Sequence, residues 1–214
     1  MNGNKFQLII KKVIDILLGC VLLVLTAPVF IIIAAAIKLN SKGKVIFKQE
    51  RIGKNRKKFN FYKFRTMDEN CGDTLHRKTI HFLMTNDIQQ VKAKKELFKS
   101  ADDPRVTAVG KFLRKCSLDE LPQLFNVIKG QMSLVGPRPA IEYELEYYDE
   151  IMLKRFSVMP GITGLWQISS CPKFNYRQMV KMDLFYIKNW SLLLDLKIFL
   201  KTFLVVFKKR GVTL

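Results

Sequence analysis

The acid pair Asp119-Glu120 lies within FLRKCSLDELPQLFNVIKGQMSLVGPRP (112–139), with Arg114 and Lys115 before it and Arg138 after it. Ser117 to Glu120 has the form Ser-x-x-Glu ahead of an apolar run, the capping-box sign of a helix start. Pro122 fits only the first turn of that helix, because it brings no N–H. Whether Ser117 or Asp119 is the cap, Asp119 falls at the helix N-terminus, where free N–H groups and the positive dipole end favour phosphate. Arg138 stands between Pro137 and Pro139, whose rings fix the backbone so that its fork can be held ready for a phosphate. Each part also has a plainer account: Glu120 as a cap, Asp119 as a surface acid, Arg138 as the partner of a structural carboxylate. An acid pair flanked by cations at a helix start points to phosphoryl chemistry without specifying it.

More cations come from 45–67, VIFKQERIGKNRKKFNFYKFRTM. Two strand-like runs flank Gly53-Lys54-Asn55-Arg56-Lys57, which predicts a β-hairpin with a longer loop. Period two puts Phe59, Phe61, Lys63 and Arg65 on one face, with aromatics for a core and two cations for a site; a solvated edge is the alternative. Met159-Pro160-Gly161-Ile162-Thr163-Gly164-Leu165-Trp166-Gln167 is turn-rich. Its glycines would let backbone approach a ligand and Trp166 could stack, unless the stretch is a tight turn with a core Trp. Asp102-Asp103-Pro104-Arg105 reads as a turn.

The 214-residue chain is of single-domain size, and its net charge is +19, from 37 basic and 18 acidic residues. Such a basic surface calls for a polyanionic partner: nucleic acid, an anionic membrane or a phosphorylated substrate. Cys20, Cys71, Cys116 and Cys171 are scattered without a C-x-x-C pair, and His76 and His81 lack metalloprotease spacing. That speaks against a metal cluster or disulfide framework and for reduced, cytosol-facing thiols.

Val13–Ile37 is apolar apart from Asp15 and about as long as a membrane span. It lacks a signal-peptide cleavage site and is apolar on every side, unlike most core helices. Pro28 must kink or break it, and lysines flank both ends, which the positive-inside rule would keep in the cytoplasm. A re-entrant helix bent at Ala27–Pro28 satisfies both flanks, with Thr26 as a partner for the freed backbone. Residues 68–105 are polar, with a helical stretch at about 86–99. Glu142, Glu144, Glu146, Asp149 and Glu150 read as an acidic helix with a solvated face. A helix is predicted over 176–188, carrying Arg177, Lys181 and Asp183. Trp190 suits the water–lipid boundary, and the amphipathic stretch 190–210, ending in Lys208, Lys209 and Arg210, suits an anionic leaflet. These elements predict an α+β, mostly helical single domain over 1–214, with a re-entrant membrane helix-break-helix at 13–37, a small β-hairpin and an interfacial helix at 190–210. A nucleic-acid binder would need a recognition motif, and the apolar run contradicts a soluble one. A non-catalytic scaffold has no use for the acid pair.

An apolar N-terminal hairpin, KFRTM (63–67), DPRVTAVGKFLRKCSLDELPQLFNVIKGQMSLVGPRP (103–139), PGITGLWQ (160–167) and Asp183…Tyr186…Asn189-Trp190-Ser191…Asp195 follow one another in that order. The chain thereby resembles the bacterial sugar transferases, the monotopic polyprenyl-phosphate phosphoglycosyl transferases in their minimal catalytic form, over all but roughly 70–100. The resemblance implies that Asp119 attacks the β-phosphate of a UDP-sugar and releases UMP. Polyprenyl phosphate, usually undecaprenyl phosphate, then takes the sugar phosphate from the aspartyl intermediate. It implies Mg²⁺ held by Asp119 and Glu120, and phosphate contacts from Lys63, Arg65, Arg114 and Arg138. Gly161, Thr163, Gly164 and Asp183 would serve nucleotide or sugar. It places the protein at the bacterial inner membrane facing the cytoplasm, on an anionic membrane and without nucleic acid, initiating a surface glycan; a homo-oligomer stays open. Where relatives have Ser-Pro at the helix break, this chain has Ala27–Pro28.

Overall fold

The apolar N-terminal run forms α1, Lys5–Asn40, 36 residues with Pro28 inside. In this computed structural model the described residues are 5–68, 77, 80–82, 84, 103, 105–169 and 176–207. The helical stretch expected at about 86–99 lies outside them, as do Lys208, Lys209 and Arg210. By length and composition α1 could cross a membrane, and it leaves Val24, Leu25, Ile31 and Ile32 uncovered. The helix continues through Pro28, which deprives the Val24 carbonyl of its helical donor. Thr26 does not fill that place: its hydroxyl donates to the Leu22 carbonyl at 2.6 Å, the local back-bond that threonine makes within helices.

One stripe of α1 is covered along most of its length. The Asp15 carboxylate is buried and accepts from Ser133 Oγ at 2.7 Å and from the Leu134 N–H at 3.2 Å. A Cβ on Gly19 would lie 3.3 Å from Val127, so the helix packs closely there. Further on, the Phe30 ring sits 5.1 Å from Phe64 and 5.9 Å from Phe125. Ile33 and Ile37 join Phe64 and Leu113 in a buried cluster. The contacts run from Asp15 to Ile37, about 33 Å of helix at 1.5 Å per residue.

The hairpin forms where the turn residues place it. Strands β1 (Ile46–Ile52) and β2 (Lys58–Phe64) pair antiparallel from Ile46↔Phe64 to Ile52↔Lys58. Phe59 and Phe61 enter the main core, as period two requires. Helix α2 (Ala108–Lys115) is capped by Thr107, whose hydroxyl accepts from the Gly110 N–H at 3.0 Å. A Cβ on Gly110 would stand 2.1 Å from the Thr66 carbonyl oxygen, so α2 crosses the end of β2 backbone against backbone.

The capping box does not form. Ser117 adopts a left-handed conformation (φ 55°) and makes no side-chain cap; it ends α2 rather than starting a helix. A 3₁₀ turn, Leu118–Glu120, follows, and only then α3, Gln123–Ile128, with Pro122 at its start as its missing N–H demands. Asn126, fully buried, joins α3 to β2: its Nδ2 donates to the Asn60 carbonyl at 2.7 Å and its Oδ1 accepts from the Tyr62 N–H at 3.1 Å.

A second small sheet pairs β3 (Ser133–Val135) parallel with β4 (Gly161–Thr163). The acidic run is a 3₁₀ segment, Glu142–Tyr147, followed by α4, Glu150–Leu153. Its face is not wholly solvated, because Glu144 is buried and accepts from the Tyr176 hydroxyl. Helix α5 spans Tyr176–Lys188, as expected, and α6 spans Leu192–Phe207. Trp190 is not at a surface: it is 5% exposed. Its indole N–H donates to Asp195 Oδ2 at 3.0 Å, so its polar edge is satisfied inside. Asp195 also accepts from Tyr186 and from Lys11 of α1, both at 2.6 Å. The fold is α+β and mostly helical.

Candidate active site

Three elements bring the acid pair and its cations together. The 3₁₀ turn presents Asp119 and Glu120, β2 presents Lys63, and the loop after β3 presents Arg138. Lys63 Nζ lies 3.2 Å from Asp119 Oδ2 and 2.9 Å from Glu120 Oε1. On an α-helix, consecutive side chains point about 100° apart. In the tighter turn both carboxylates reach one ammonium, so the pair shares a cation rather than a proton. Arg138 Nη1 adds charge 3.7 Å from Glu120 Oε1. Burial alone would raise the Glu120 carboxyl, but Lys63 and Arg138 outweigh it and hold it below its ordinary 4.5.

The other expected site residues fall into two groups. Arg114 stands close to the acid pair; its Nε donates to Thr66 Oγ1 at 3.0 Å, and burial brings its guanidinium below its ordinary value despite the opposing charges of Asp119 and Asp103. Arg65 turns the other way. Its fork is buried at the end of α1, donating to the Lys42 carbonyl, to the Ser41 carbonyl at 2.9 Å and to Ser41 Oγ at 3.0 Å. A cation there suits the negative end of the helix dipole.

The glycine-rich loop packs on protein. A Cβ on Gly161 would meet Gly136 N at 2.1 Å, and one on Gly164 would meet the Gly136 carbonyl oxygen at 2.6 Å. The close approach made by these glycines is to the backbone beside Arg138. Thr163 is buried, with its hydroxyl 2.8 Å from that of Thr202 on α6. Trp166 is a core residue, 3% exposed. Asp183 is also buried, paired with Arg155 at 2.6 Å; burial pushes its carboxyl up to about 6 against the pull of that arginine.

Sequence reasoning passed over Arg51, Arg155, Gln123 and Asn126. No local pattern marks the two arginines. Both are buried, and burial together with nearby Arg138 brings the Arg51 guanidinium down to about 10, so it stays protonated at neutral pH. Gln123, 1% exposed, favours the Glu120 anion electrostatically, although its amide nitrogen has no partner at good hydrogen-bonding geometry.

Among the described residues no group of three or more His, Cys, Asp or Glu could hold a metal. Two carboxylates converging on one cation are nevertheless a fitting donor set for Mg²⁺, which keeps several waters and takes substrate phosphate oxygens as further ligands.

A family model described as bacterial sugar transferase matches residues 6–209. The chain is 43% identical over 214 residues to an uncharacterized sugar transferase of Haemophilus influenzae, covering 99% of this chain and 44% of that protein. It is 44% identical to the exopolysaccharide production protein ExoY of Rhizobium meliloti, covering 94% of this chain and 87% of that one. Identity is 42% to a UDP-glucose:undecaprenyl-phosphate glucose-1-phosphate transferase of Klebsiella pneumoniae, over 96% of this chain and 41% of that protein.

The shared ammonium predicts a pH-dependent stability difference. Lys63→Met should cost about 2 kcal/mol at pH 7, because it takes the shared cation from buried Asp119 and half-buried Glu120 and leaves Glu120 with Arg138 at 3.7 Å. The folded Glu120 carboxyl lies below its ordinary 4.5, so its contribution is present above that pH and lost as pH falls through the folded value. Thermal midpoints of wild type and variant should therefore draw together as pH falls from 7 to below 4.5. A gap that stays constant would contradict the shared-cation geometry.

Proposed function

The chain belongs to the bacterial sugar transferase family, and on that premise we propose that it transfers a sugar 1-phosphate from a UDP-sugar to polyprenyl phosphate, releasing UMP. The acceptor is undecaprenyl phosphate, and the product starts an exopolysaccharide, capsule, O-antigen or glycoprotein glycan. The observation that carries this reading is the Asp119–Lys63–Glu120 cluster with Arg138 beside it. The name of the Klebsiella relative supplies the class of donor and acceptor.

The residues fit a double displacement. An Asp119 oxygen attacks the β-phosphorus of the donor; the bond from that phosphorus to the bridging oxygen breaks, and UMP leaves with the electron pair. A phosphate oxygen of the lipid then attacks the phosphorus of the aspartyl-linked sugar phosphate. The aspartyl–phosphorus bond breaks, which restores the Asp119 carboxylate and leaves the diphosphate-linked sugar. Splitting one hard step into two is what a carboxylate nucleophile offers. Lys63 can shift from carboxylate to incoming phosphate without leaving the site, and Arg114 and Arg138 neutralise the phosphate oxygens. Asp119 and Glu120 would hold Mg²⁺, which when bound offsets the charge between nucleophile and donor. Arg65 acts by fixing the end of α1 beside β2. Gly161, Thr163, Gly164 and Asp183 shape the backbone behind Arg138.

We place the protein on the inner membrane with its catalytic side in the cytoplasm. Two contact zones of α1, at Asp15 and at Ile37, touch the same body. A helix standing across a bilayer would carry one of them away, so a re-entrant course bent near Pro28 suits the packing better. Helix α6 leaves Leu193, Leu196, Leu200 and Phe203 uncovered, with exposed Lys197 and Lys201 beside them, as an interfacial helix on anionic lipid would.

Membranes given undecaprenyl phosphate, Mg²⁺ and a panel of UDP-sugars should release UMP from at least one donor. Asp119→Asn should lower that rate by on the order of 10³-fold or more while membrane attachment persists. Full activity in the variant would remove Asp119 from its role. For topology, single cysteines at Lys5 and Lys42 in an otherwise cysteine-free chain should be labelled by an impermeant maleimide from the same side; labelling from opposite sides would sink the re-entrant course.

A further inference from the structure

Arg138 sits in a segment that cannot be fixed in the usual way, because Pro137 and Pro139 offer no N–H. It is fixed through its carbonyls. The Pro137 carbonyl accepts from the Gly161 N–H at 2.8 Å, and that of Ala140 from the Ile52 N–H at 2.8 Å. Between them, the Arg138 carbonyl accepts from Arg155 Nη2 at 2.9 Å and the Pro139 carbonyl from Arg51 Nη1 at 3.1 Å. Four consecutive carbonyls are thus each held by a donor, and the middle two are held by buried guanidinium groups.

A buried arginine is a costly way to satisfy a carbonyl, which any neutral donor could do. Arg155 is oriented from several directions. The same Nη2 that reaches Arg138 donates to Asp183 Oδ2 at 2.6 Å, while Nη1 donates to the Tyr148 hydroxyl and, at 3.3 Å, to that of Tyr176. Tyr176 in turn donates to Glu144. Arg51 is braced by Gln49, whose Oε1 accepts from its Nε at 3.0 Å. The side chain whose backbone these groups hold points its own guanidinium at Glu120, 3.7 Å away.

We propose that Arg155 and Arg51 are positioning residues for Arg138: a two-arginine clamp that fixes where the Arg138 fork meets the donor's phosphates. Asp183 belongs to the clamp as the anchor of Arg155 and does not touch the sugar or nucleotide. The inference rests on the proposal that Arg138 contacts phosphate. Lysine cannot replace Arg155, because a single ammonium lacks the planar fork that spans Asp183, two tyrosines and the carbonyl together.

The test is a double-mutant cycle on the full-length enzyme with UDP and Mg²⁺ as the probe, read by calorimetric Kd, with thermal midpoints as the folding control. Arg138→Ala should weaken UDP about tenfold, as expected for a lost charge-assisted phosphate contact. Arg155→Lys should weaken it about three- to tenfold when Arg138 is present and less than about twofold in the Arg138→Ala background. Equal losses in both backgrounds would overturn the clamp and leave Arg138 its phosphate contact. No loss in Arg138→Ala itself would overturn both the phosphate contact and the clamp. If Arg155→Lys does not fold, Arg51→Lys completes the same cycle through the next carbonyl, with the same outcomes for and against.

Discussion

A single ammonium group between two carboxylates sets the terms for the rest of the molecule. Asp119 and Glu120 are adjacent in sequence and mostly withdrawn from water, so their mutual repulsion must be offset where they stand. Lys63 does this from β2, 3.2 and 2.9 Å away. Strand and 3₁₀ turn must therefore stay in fixed register. Asn126 ties α3, directly after the turn, to the backbone of β2 at Asn60 and Tyr62. Gly110 lets α2 lie against the end of the same strand, which sets where the turn begins.

The long apolar helix belongs to the same scheme. It is a structural wall of the site as well as a long apolar surface. Asp15 supports Ser133 and Leu134, at the strand that leads to Arg138. At the other end, Arg65 grips Ser41 and Lys42 two residues after Lys63. Lys11 reaches both Asp195 and the Val135 carbonyl, which joins α1 to α6 and to the start of the Arg138 loop. A change in how α1 sits against the body would thus be transmitted to both cationic arms of the site.

Much of this was legible in the residues themselves. The hairpin followed from turn chemistry between alternating apolar runs, the long helix from its composition, and Pro122 at a helix start from its missing N–H. Most of what failed had one cause, that a local pattern was overridden by a tertiary partner, with Ser117 the local exception. Ser117 carries a capping-box spacing but is spent on ending α2. Glu144 looks like one acid in a solvated run, yet Tyr176 draws it inside. Trp190 suits an interface by type but finds Asp195 in the core. The glycines of 161–164 permit close approach, and sequence could not say that the approaching group is Gly136. Arg51 and Arg155 had no signal, since a buried arginine is recognisable only once its carbonyl and carboxylate partners are placed.

The central claim is that the carboxylate beside Lys63 becomes bonded to phosphorus during turnover. Intact-mass analysis of the enzyme mixed with its UDP-sugar and Mg²⁺, before any lipid is added, tests it directly. The account predicts a mass gain of one sugar phosphate on the wild-type chain, mapped to the peptide holding Asp119 and discharged when polyprenyl phosphate is added. An unmodified chain that nonetheless forms product once lipid arrives would contradict it.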